Sequence, residues 1–350
     1  MTSDSTTSRR RAPGRPRALI ALMAACVAGL ALVAGCGGSS TPSTSAKNPD
    51  KVRVLLDWFP NPDHIGFYTA QRQGDFAREN LAVTLTPPSN QSDPLKLVAT
   101  GRVPLGISYE PDTLIARAQG LHVTAVAAVV PVALNALIAP RTSPVKTPAQ
   151  LAGHTIGVPG LPSDGVYLKA IYHHFGIDES SVRKVNISTS LVAAMLSGKV
   201  DATIDGYRNV EAIQLADRGL RPLVVPVTDA GVPPYDELVL VANSDKLASD
   251  AAYRGVVRRF VAGLAAGTQT AIARPKLAER AIAPVAKGYR RELLDKMVDA
   301  TAPLLRNPAG FGRLDVARWQ SFADWMLARH LLPRHVDATT AATEAYLPKH

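Results

Sequence analysis

From residue 51 onward, short runs rich in β-branched residues alternate with longer amphipathic stretches. The short runs predict strands, and the stretches between them, several of which end at glycine, predict helices. Strands joined through helices form mostly parallel sheets, so the pattern predicts an α/β fold. The predicted strands are residues 52–56, 83–86, 103–108, 123–130, 135–139, 155–158, 182–187, 202–205, 222–227 and 237–243. The predicted helices are residues 65–80, 94–100, 111–119, 165–175, 191–197 and 209–218, followed by a mostly helical tail from residue 249.

One strand–helix unit occurs twice in the chain. The sequence GRVPLGI at residues 101–107 resembles GKVDATI at residues 198–204, and the helix predicted after each copy is followed by a Gly-Leu pair. Two copies fall short of a repeat array, so the similarity indicates either two ordinary strand–helix units or two similar lobes. Ligands of open α/β sheets bind beyond the carboxyl ends of strands. If the two copies belong to similar lobes that face each other, the strand ends at residues 108–110 and 205–207 line one cleft.

The start of the chain has the composition of an export signal. The chain has 39 Lys and Arg against 29 Asp and Glu, a formal net charge of +10 that would suit a nucleic-acid partner. Five of the arginines crowd residues 9–17, and an uncharged stretch over 18–34 follows them. This order predicts a signal peptide over residues 1–35, since the uncharged stretch is marginal for the alternative, a membrane-spanning helix. No later basic run suits nucleic acid, which is not expected as a partner.

The two cysteines, Cys26 and Cys36, both lie near the start of the chain. Residues 37–350 therefore hold no disulfide framework, zinc–thiolate site or cysteine nucleophile. The sequence VAGC at residues 33–36 resembles the lipobox of bacterial lipoproteins, which implies acylation of Cys36 and a stable membrane anchor. Residues 37–49 are rich in Gly, Ser, Thr and Pro, so residues 36–50 are interpreted as a lipidated cysteine with a flexible tether.

The loop after the first predicted strand, LDWFPNPDHIGFY at residues 56–68, combines an indole ring with polar side chains. Trp58 offers a flat face for stacking, while Asn61 and His64 offer hydrogen bonds. These side chains suit a flat ligand with polar groups at its edge. The alternative interpretation is that Trp58 closes the core and Asp63 caps the next helix.

Other predicted strands also end in aromatic and acidic residues. Tyr109 and Glu110 follow one strand, and Tyr207 lies at the equivalent end of its repeat, so two rings can sandwich a flat heteroaromatic ligand. Glu110 can instead be a solvated residue. Asp164, in a Gly/Pro loop before a helix, belongs to an anion site or is a helix N-cap. Glu237 can accept hydrogen bonds from an amino-substituted ring or lie in a turn.

Catalytic and metal-binding signatures are missing from the sequence. It contains no Gly-x-Ser-x-Gly, no HExxH and no cluster of histidine ligands. We therefore expect neither catalytic residues nor a metal or other cofactor.

The segment at residues 56–68, with SYEP at 108–111 and DATIDGY at 201–207, resembles a family of ABC-transporter substrate-binding proteins. This family, which is similar to thiamine pyrimidine synthases, binds alkanesulfonates and pyrimidine precursors of thiamine. The resemblance covers most of residues 51–275. Its most specific part is residues 56–68, which is similar to the opening motif of the branch that binds pyrimidine precursors.

The resemblance implies a two-lobed periplasmic-binding-protein fold of type II, with each lobe a mostly parallel sheet flanked by helices. Lobe 1 is expected to comprise residues 51–135 plus 240–350, and lobe 2 residues 136–239. The strands at 135–139 and 237–243 would cross between them. The implied partners are an ABC permease and its ATPase, with a lipid-anchored, extracytoplasmic location and lobes that close on the ligand.

The resemblance also implies capture of a thiamine-precursor pyrimidine of the formylaminopyrimidine or hydroxymethylpyrimidine type. Riboflavin, another flat heteroaromatic and an alkanesulfonate are the alternative ligands in the same fold. The expected ligand-binding residues are Trp58, Asn61, His64, Tyr109, Glu110, Asp164, Tyr207 and Glu237.

Some proteins of this group are enzymes that make the thiamine pyrimidine by sacrificing one of their own histidines. They carry a lysine and, four residues later, a histidine after the third strand, together with a cysteine-rich cluster before the return crossing. Ser108 and Asp112 occupy the corresponding positions here, and residues 231–237 contain no cysteine. Because the donor groups are missing, we do not expect this protein to be an enzyme.

Overall fold

In the computed structural model, which describes residues 48–348, the strands form two five-stranded sheets. This confirms the expected α/β class, and each predicted strand is present to within two residues at either end. The strands are β1 (Asp50–Leu55), β2 (Leu81–Thr86), β3 (Leu105–Ser108), β4 (Val123–Val130), β5 (Asn135–Ala139), β6 (Thr155–Val158), β7 (Arg183–Asn186), β8 (Ala202–Tyr207), β9 (Leu223–Pro226) and β10 (Leu238–Asn243).

The two sheets have the same topology. The strand order is β2-β1-β3-β10-β4 in the first sheet and β7-β6-β8-β5-β9 in the second. In each sheet three neighbouring strands are parallel, and the fourth, β10 or β5, pairs antiparallel with both of its neighbours. The chain thus leaves the first sheet after β4 and returns to it with β10, as the expected crossing strands require.

The repeated sequence has a structural counterpart. Its two copies lead into β3 and β8, which occupy the same position in the two sheet orders. The glycine that opens each copy, Gly101 or Gly198, has a φ of 70°, a left-handed conformation that glycine adopts without steric cost. The same turn therefore introduces the equivalent strand in both sheets.

Helices flank both sheets, and residues after 244 are mostly helical, as expected. The single helix predicted over residues 65–80 is wrong, because Gly74 adopts a φ of 75° and ends the first helix. The α-helices are α1 (Ile65–Gln73), α2 (Asp75–Arg78), α3 (Asp93–Ala99), α4 (Glu110–Ala118), α5 (Asp164–Phe175), α6 (Leu191–Leu196), α7 (Glu211–Asp217), α8 (Ser244–Ser249), α9 (Ala251–Ala273), α10 (Pro275–Ile282), α11 (Arg291–Thr301), α12 (Val316–Ala328) and α13 (Ala338–Ala341).

The first sheet is buried on both faces at β4 and β10, whereas β1 and β2 have exposed residues. All residues of β4 and β10 are buried, which is typical of strands covered by helices on both sides. The outer edge of β4 is covered by bridges from Ala125 to Ala342 and from Ala128 to Gly312, so the C-terminal segment protects it.

None of the helices in residues 48–348 is apolar over a length sufficient to cross a bilayer. The predicted signal peptide, Cys36 and most of the tether lie outside the described residues. The boundaries assigned to the two lobes stay a prediction.

Helices α1 and α9 pack in close contact at a glycine, which yields a stability prediction. A Cβ atom at Gly267 would lie 2.4 Å from Cβ and 2.5 Å from the backbone nitrogen of Ala70. We expect Gly267→Ala to lower the free energy of unfolding by about 1–3 kcal/mol because the helices must separate. Gly255→Ala, in the same helix, is the control because no neighbouring atom lies within 4 Å of the added Cβ. Urea unfolding measures both variants, and equal stabilities would contradict the prediction.

Candidate functional site

A cavity lies where strand ends of the two sheets meet. The residues that line it follow or end β1, β3, β6 and β8, with one more from the loop after α10. This is the position at which open α/β sheets bind ligands. The lining residues are Asp57, Trp58, Asn61, Tyr109, Leu161, Asp205, Tyr207, Val210, Glu211 and Tyr289.

The Asp57 carboxylate is held by hydrogen bonds from two segments of the chain. It is buried, and its two oxygens face His64 Nε2 at 2.8 Å and the Tyr109 hydroxyl at 2.9 Å. His64 Nδ1 accepts the backbone N–H of Asn61 at 3.2 Å, so in the neutral ring Nε2 carries the proton and donates to Asp57. Burial, followed by the charge of Asp57, raises the pKa of Tyr109, which keeps its hydroxyl a donor.

The predicted ligand contact of His64 is not supported by its position. The side chain is fully buried, does not line the cavity and uses both ring nitrogens inside the protein. Asn61 does line the cavity, and it caps the turn Pro62–His64 by accepting the N–H of Asp63 at 2.8 Å. The residue that caps the start of this segment is therefore Asn61, not Asp63.

Aromatic rings line the cavity from both sheets. Trp58 follows β1 of the first sheet, is half-buried and packs against the apolar cluster around α6. Tyr207 ends β8 of the second sheet, and burial is the main cause that raises its pKa. Tyr289 joins them from the loop after α10. The structure thus brings Trp58 and Tyr207 to one cavity, as the sequence predicts.

Glu110, predicted as a ligand contact, lies behind the cavity. Its side chain is fully buried, and Oε2 accepts the backbone N–H of Asp236 at 2.7 Å. Burial and the neighbouring Asp236 carboxylate raise the pKa of Glu110. It therefore holds the segment before β10 in place, and is neither solvated nor exposed to the cavity.

Glu237 is likewise a structural anchor in this conformation. Its Oε2 accepts the backbone N–H groups of Leu134 at 2.5 Å and Asn135 at 3.0 Å, and the Tyr235 hydroxyl at 2.9 Å. The carboxylate thus joins the starts of β5 and β10, the two crossing strands. Burial raises its pKa, and these donors oppose the shift. It does not line the cavity.

Asp164 and Asp205 form a pair of carboxyl groups, of which only Asp205 lines the cavity. Asp164 Oδ2 accepts the Gly160 N–H at 2.8 Å, and the Asp164 carboxyl group lies beside that of Asp205. Asp205 has a left-handed φ of 62°, held by Asn135, which donates to its carboxylate and accepts its N–H. Burial is the main cause that raises the pKa of both carboxyl groups.

The charged side chains of the cavity lining are all carboxyl groups. Its acidic residues are Asp57, Asp205 and Glu211, and none of its described lining residues is Lys, Arg or His. Burial raises the pKa of Glu211 to about 7, and its Oε2 accepts the Tyr207 N–H at 2.8 Å. Such a lining suits a flat molecule with amino groups.

Several lining residues were missed from the sequence. Asp57 and Asp205 lie inside the motifs at the ends of β1 and β8, so their position was a usable signal. Leu161, Val210 and Glu211 follow strands of the second sheet without a distinctive pattern. Tyr289 comes from a loop far along the chain, and nothing in its surroundings indicates a site. Within residues 48–348, no group of three or more His, Cys, Asp or Glu residues is placed to hold a metal ion.

The two sheets with their crossing strands form a periplasmic-binding-protein fold. The structure is similar to the alkanesulfonate-binding protein SsuA from Xanthomonas axonopodis pv. citri bound to MOPS. Their TM-score is 0.67 and their identity 17%, over 85% of this chain and 99% of that one. The chain belongs to the NMT1/THI5-like family, whose model matches residues 61–278. The resemblance found in the sequence is therefore confirmed.

Relatives in this family have two kinds of activity. A formylaminopyrimidine-binding protein of Halalkalibacterium halodurans is 32% identical over 301 residues, which cover 83% of this chain and 89% of that protein. The 4-amino-5-hydroxymethyl-2-methylpyrimidine phosphate synthase THI13 of Saccharomyces cerevisiae is 28% identical over 190 residues, 54% of this chain and 55% of that enzyme.

The Tyr109–Asp57 hydrogen bond can be tested by removing one hydroxyl. We expect Tyr109→Phe to lower the free energy of unfolding by about 1–3 kcal/mol, because it leaves a buried carboxylate oxygen without its donor. Tyr172→Phe is the control, because the buried Tyr172 hydroxyl has no hydrogen-bond partner among the described residues. Chemical denaturation compares the two variants. Equal losses would show that the Tyr109 hydroxyl does not hold Asp57.

Proposed function

We propose that this protein is the solute-binding component of an ABC importer and captures a thiamine-precursor pyrimidine of the formylaminopyrimidine type. The observation that carries the proposal is the oriented Asp57 carboxylate beside Trp58, in a cavity lined by acidic groups. A carboxylate accepts hydrogen bonds from an amino-substituted ring, and the indole offers the ring a stacking surface. The formylaminopyrimidine-binding relative supports this ligand class.

In this proposal each lining group has a separate task. The ring of the ligand stacks on Trp58 and Tyr207, and its amino group donates to Asp57. Asn61 and Asp205 provide further polar contacts at the ring edge. His64 and Tyr109 keep the Asp57 oxygens in position, while Glu110, Glu237 and Asp164 hold the surrounding segments. The lobes, residues 51–135 plus 240–350 and residues 136–239, close on the ligand because closure adds contacts from the second lobe.

The acidic lining favours this ligand over an alkanesulfonate. An anion is disfavoured by neighbouring carboxyl groups, and the described lining has three acidic residues and no cationic side chain to offset them. A synthase activity is disfavoured because Ser108 and Asp112 stand where the enzymes of the group carry the lysine and the histidine. Asp112 is moreover occupied, since both of its oxygens accept hydrogen bonds from Ser163.

A thermal-shift panel tests the proposed ligand class. The ligands are aminopyrimidines including formylaminopyrimidine, thiamine, riboflavin and alkanesulfonates, each added to protein without its signal peptide. A true ligand at about a hundred times its dissociation constant adds about 2.7 kcal/mol of stability. We expect the aminopyrimidines to give the largest shift. A shift with a sulfonate or riboflavin and none with any pyrimidine would overturn the proposal.

Trp58 is expected to provide much of the affinity. Trp58→Ala removes a stacking surface and buried apolar area, so the dissociation constant should rise about tenfold or more. Trp325→Ala, in α12 and outside the cavity lining, is the control for loss of a half-buried indole. Isothermal titration calorimetry with formylaminopyrimidine measures both. An unchanged affinity in Trp58→Ala would remove Trp58 from the site.

The proposal places the protein outside the cytoplasm, anchored through acylated Cys36 and tethered by residues 37–49. Cys36→Ser should shift the protein from the membrane fraction to the soluble fraction, because the acyl chains have no attachment point. Cys26→Ser, inside the predicted signal peptide, should leave the distribution unchanged. Fractionation and mass spectrometry of the N-terminal peptide provide the measurement. A wild-type N-terminal peptide whose mass shows no acyl group on Cys36 would contradict lipidation at this residue.

A further inference from the structure

We propose that Asp112 is a positioning residue that holds the cleft closed by fastening the loop before α5 to helix α4. Helix α4 follows β3 of the first sheet, whereas α5 follows β6 of the second, so this contact joins the two sheets. The inference rests on the proposed function, because it assigns Asp112 a part in enclosing the same ligand.

The contact between Asp112 and Ser163 has two hydrogen bonds. Asp112 Oδ1 accepts the Ser163 backbone N–H at 3.1 Å, and Oδ2 accepts the Ser163 hydroxyl at 2.7 Å. The two residues are 2% and 1% exposed. Ser163 immediately precedes α5, so the carboxylate also lies at the positive end of that helix. Burial raises the pKa of Asp112 to about 7, and the two Ser163 donors oppose this shift because they favour the ionised carboxylate.

The contact acts on the wall of the cavity. Leu161, two residues before Ser163, lines the ligand cavity together with Tyr109. The same two side chains also line a second cavity, on which Asp112 borders. Leu161 and Tyr109 therefore separate the two cavities. While Asp112 holds Ser163, the loop keeps Leu161 in place beside Tyr109, and release of Ser163 frees this wall.

The other polar contacts between the two sheets differ in strength. Asp217 in α7 pairs with Arg290 and Lys296, but these cationic side chains are 68% and 59% exposed. Exposed ion pairs contribute little because water and salt screen them. Asn209 Nδ2 donates to Asp63 Oδ1 at 2.7 Å in a buried contact beside the loop that carries Trp58. Asp112–Ser163 is the buried contact that holds the Leu161 loop.

The test measures cleft closure without any ligand. In the full chain with Cys26 and Cys36 changed to serine, single cysteines for spin labels replace the exposed residues Gln119 and Lys169, which lie by α4 and in α5. Double electron–electron resonance then reports the distance between the two helices. We expect Asp112→Asn and Ser163→Ala each to reduce the ratio of closed to open molecules about tenfold, with no further reduction in the double variant.

Asp178→Asn is the matched control. Asp178 accepts the Ser180 N–H at 2.9 Å and the Ser180 hydroxyl at 2.8 Å, which is the same chemistry within one exposed turn. Its variant should give the wild-type distances. Wild-type distances in both Asp112→Asn and Ser163→Ala would overturn the proposal, even if those variants were less stable to urea. Failure of the protein to bind pyrimidines would overturn the proposed function and leave this result unaffected.

Discussion

The conformation of the site depends on the buried carboxylate of Asp57. A buried carboxylate is costly unless its oxygens accept hydrogen bonds, and here the donors come from two separate segments. His64 returns from the end of its own loop, and Tyr109 comes from the end of the neighbouring strand β3. These two bonds fix the loop after β1, and with it Trp58 and Asn61 at the cavity. The same carboxylate keeps an orientation suited to a donor on the ligand.

The two sheets bring equivalent strand ends to the cavity. Because both sheets have the same strand order, the ends of β1 and β3 in the first sheet correspond to those of β6 and β8 in the second. The first sheet contributes Asp57, Trp58 and Tyr109, and the second contributes Leu161, Asp205 and Tyr207. The crossing strands are joined through Glu237, which accepts amides at the start of β5 from its position just before β10.

Most of the fold could be predicted from the sequence, because strand and helix periodicities are local properties of the chain. The site was predictable only in part. The sequence locates Glu110 and Glu237 directly after or before a strand, but it does not show which way each side chain turns. That choice is made by partners distant along the chain, such as Asp236 for Glu110 and Leu134 for Glu237. Tyr289 could not be predicted for the same reason, because only the folded chain brings its loop to the cavity.

A crystal structure of the protein with formylaminopyrimidine would test the central claim most directly. The account predicts ligand density between the two sheets, with the ring against Trp58 and its amino group within hydrogen-bond distance of Asp57. Density for the ligand at another place, or a ring in this cavity that makes no contact with either residue, would contradict it.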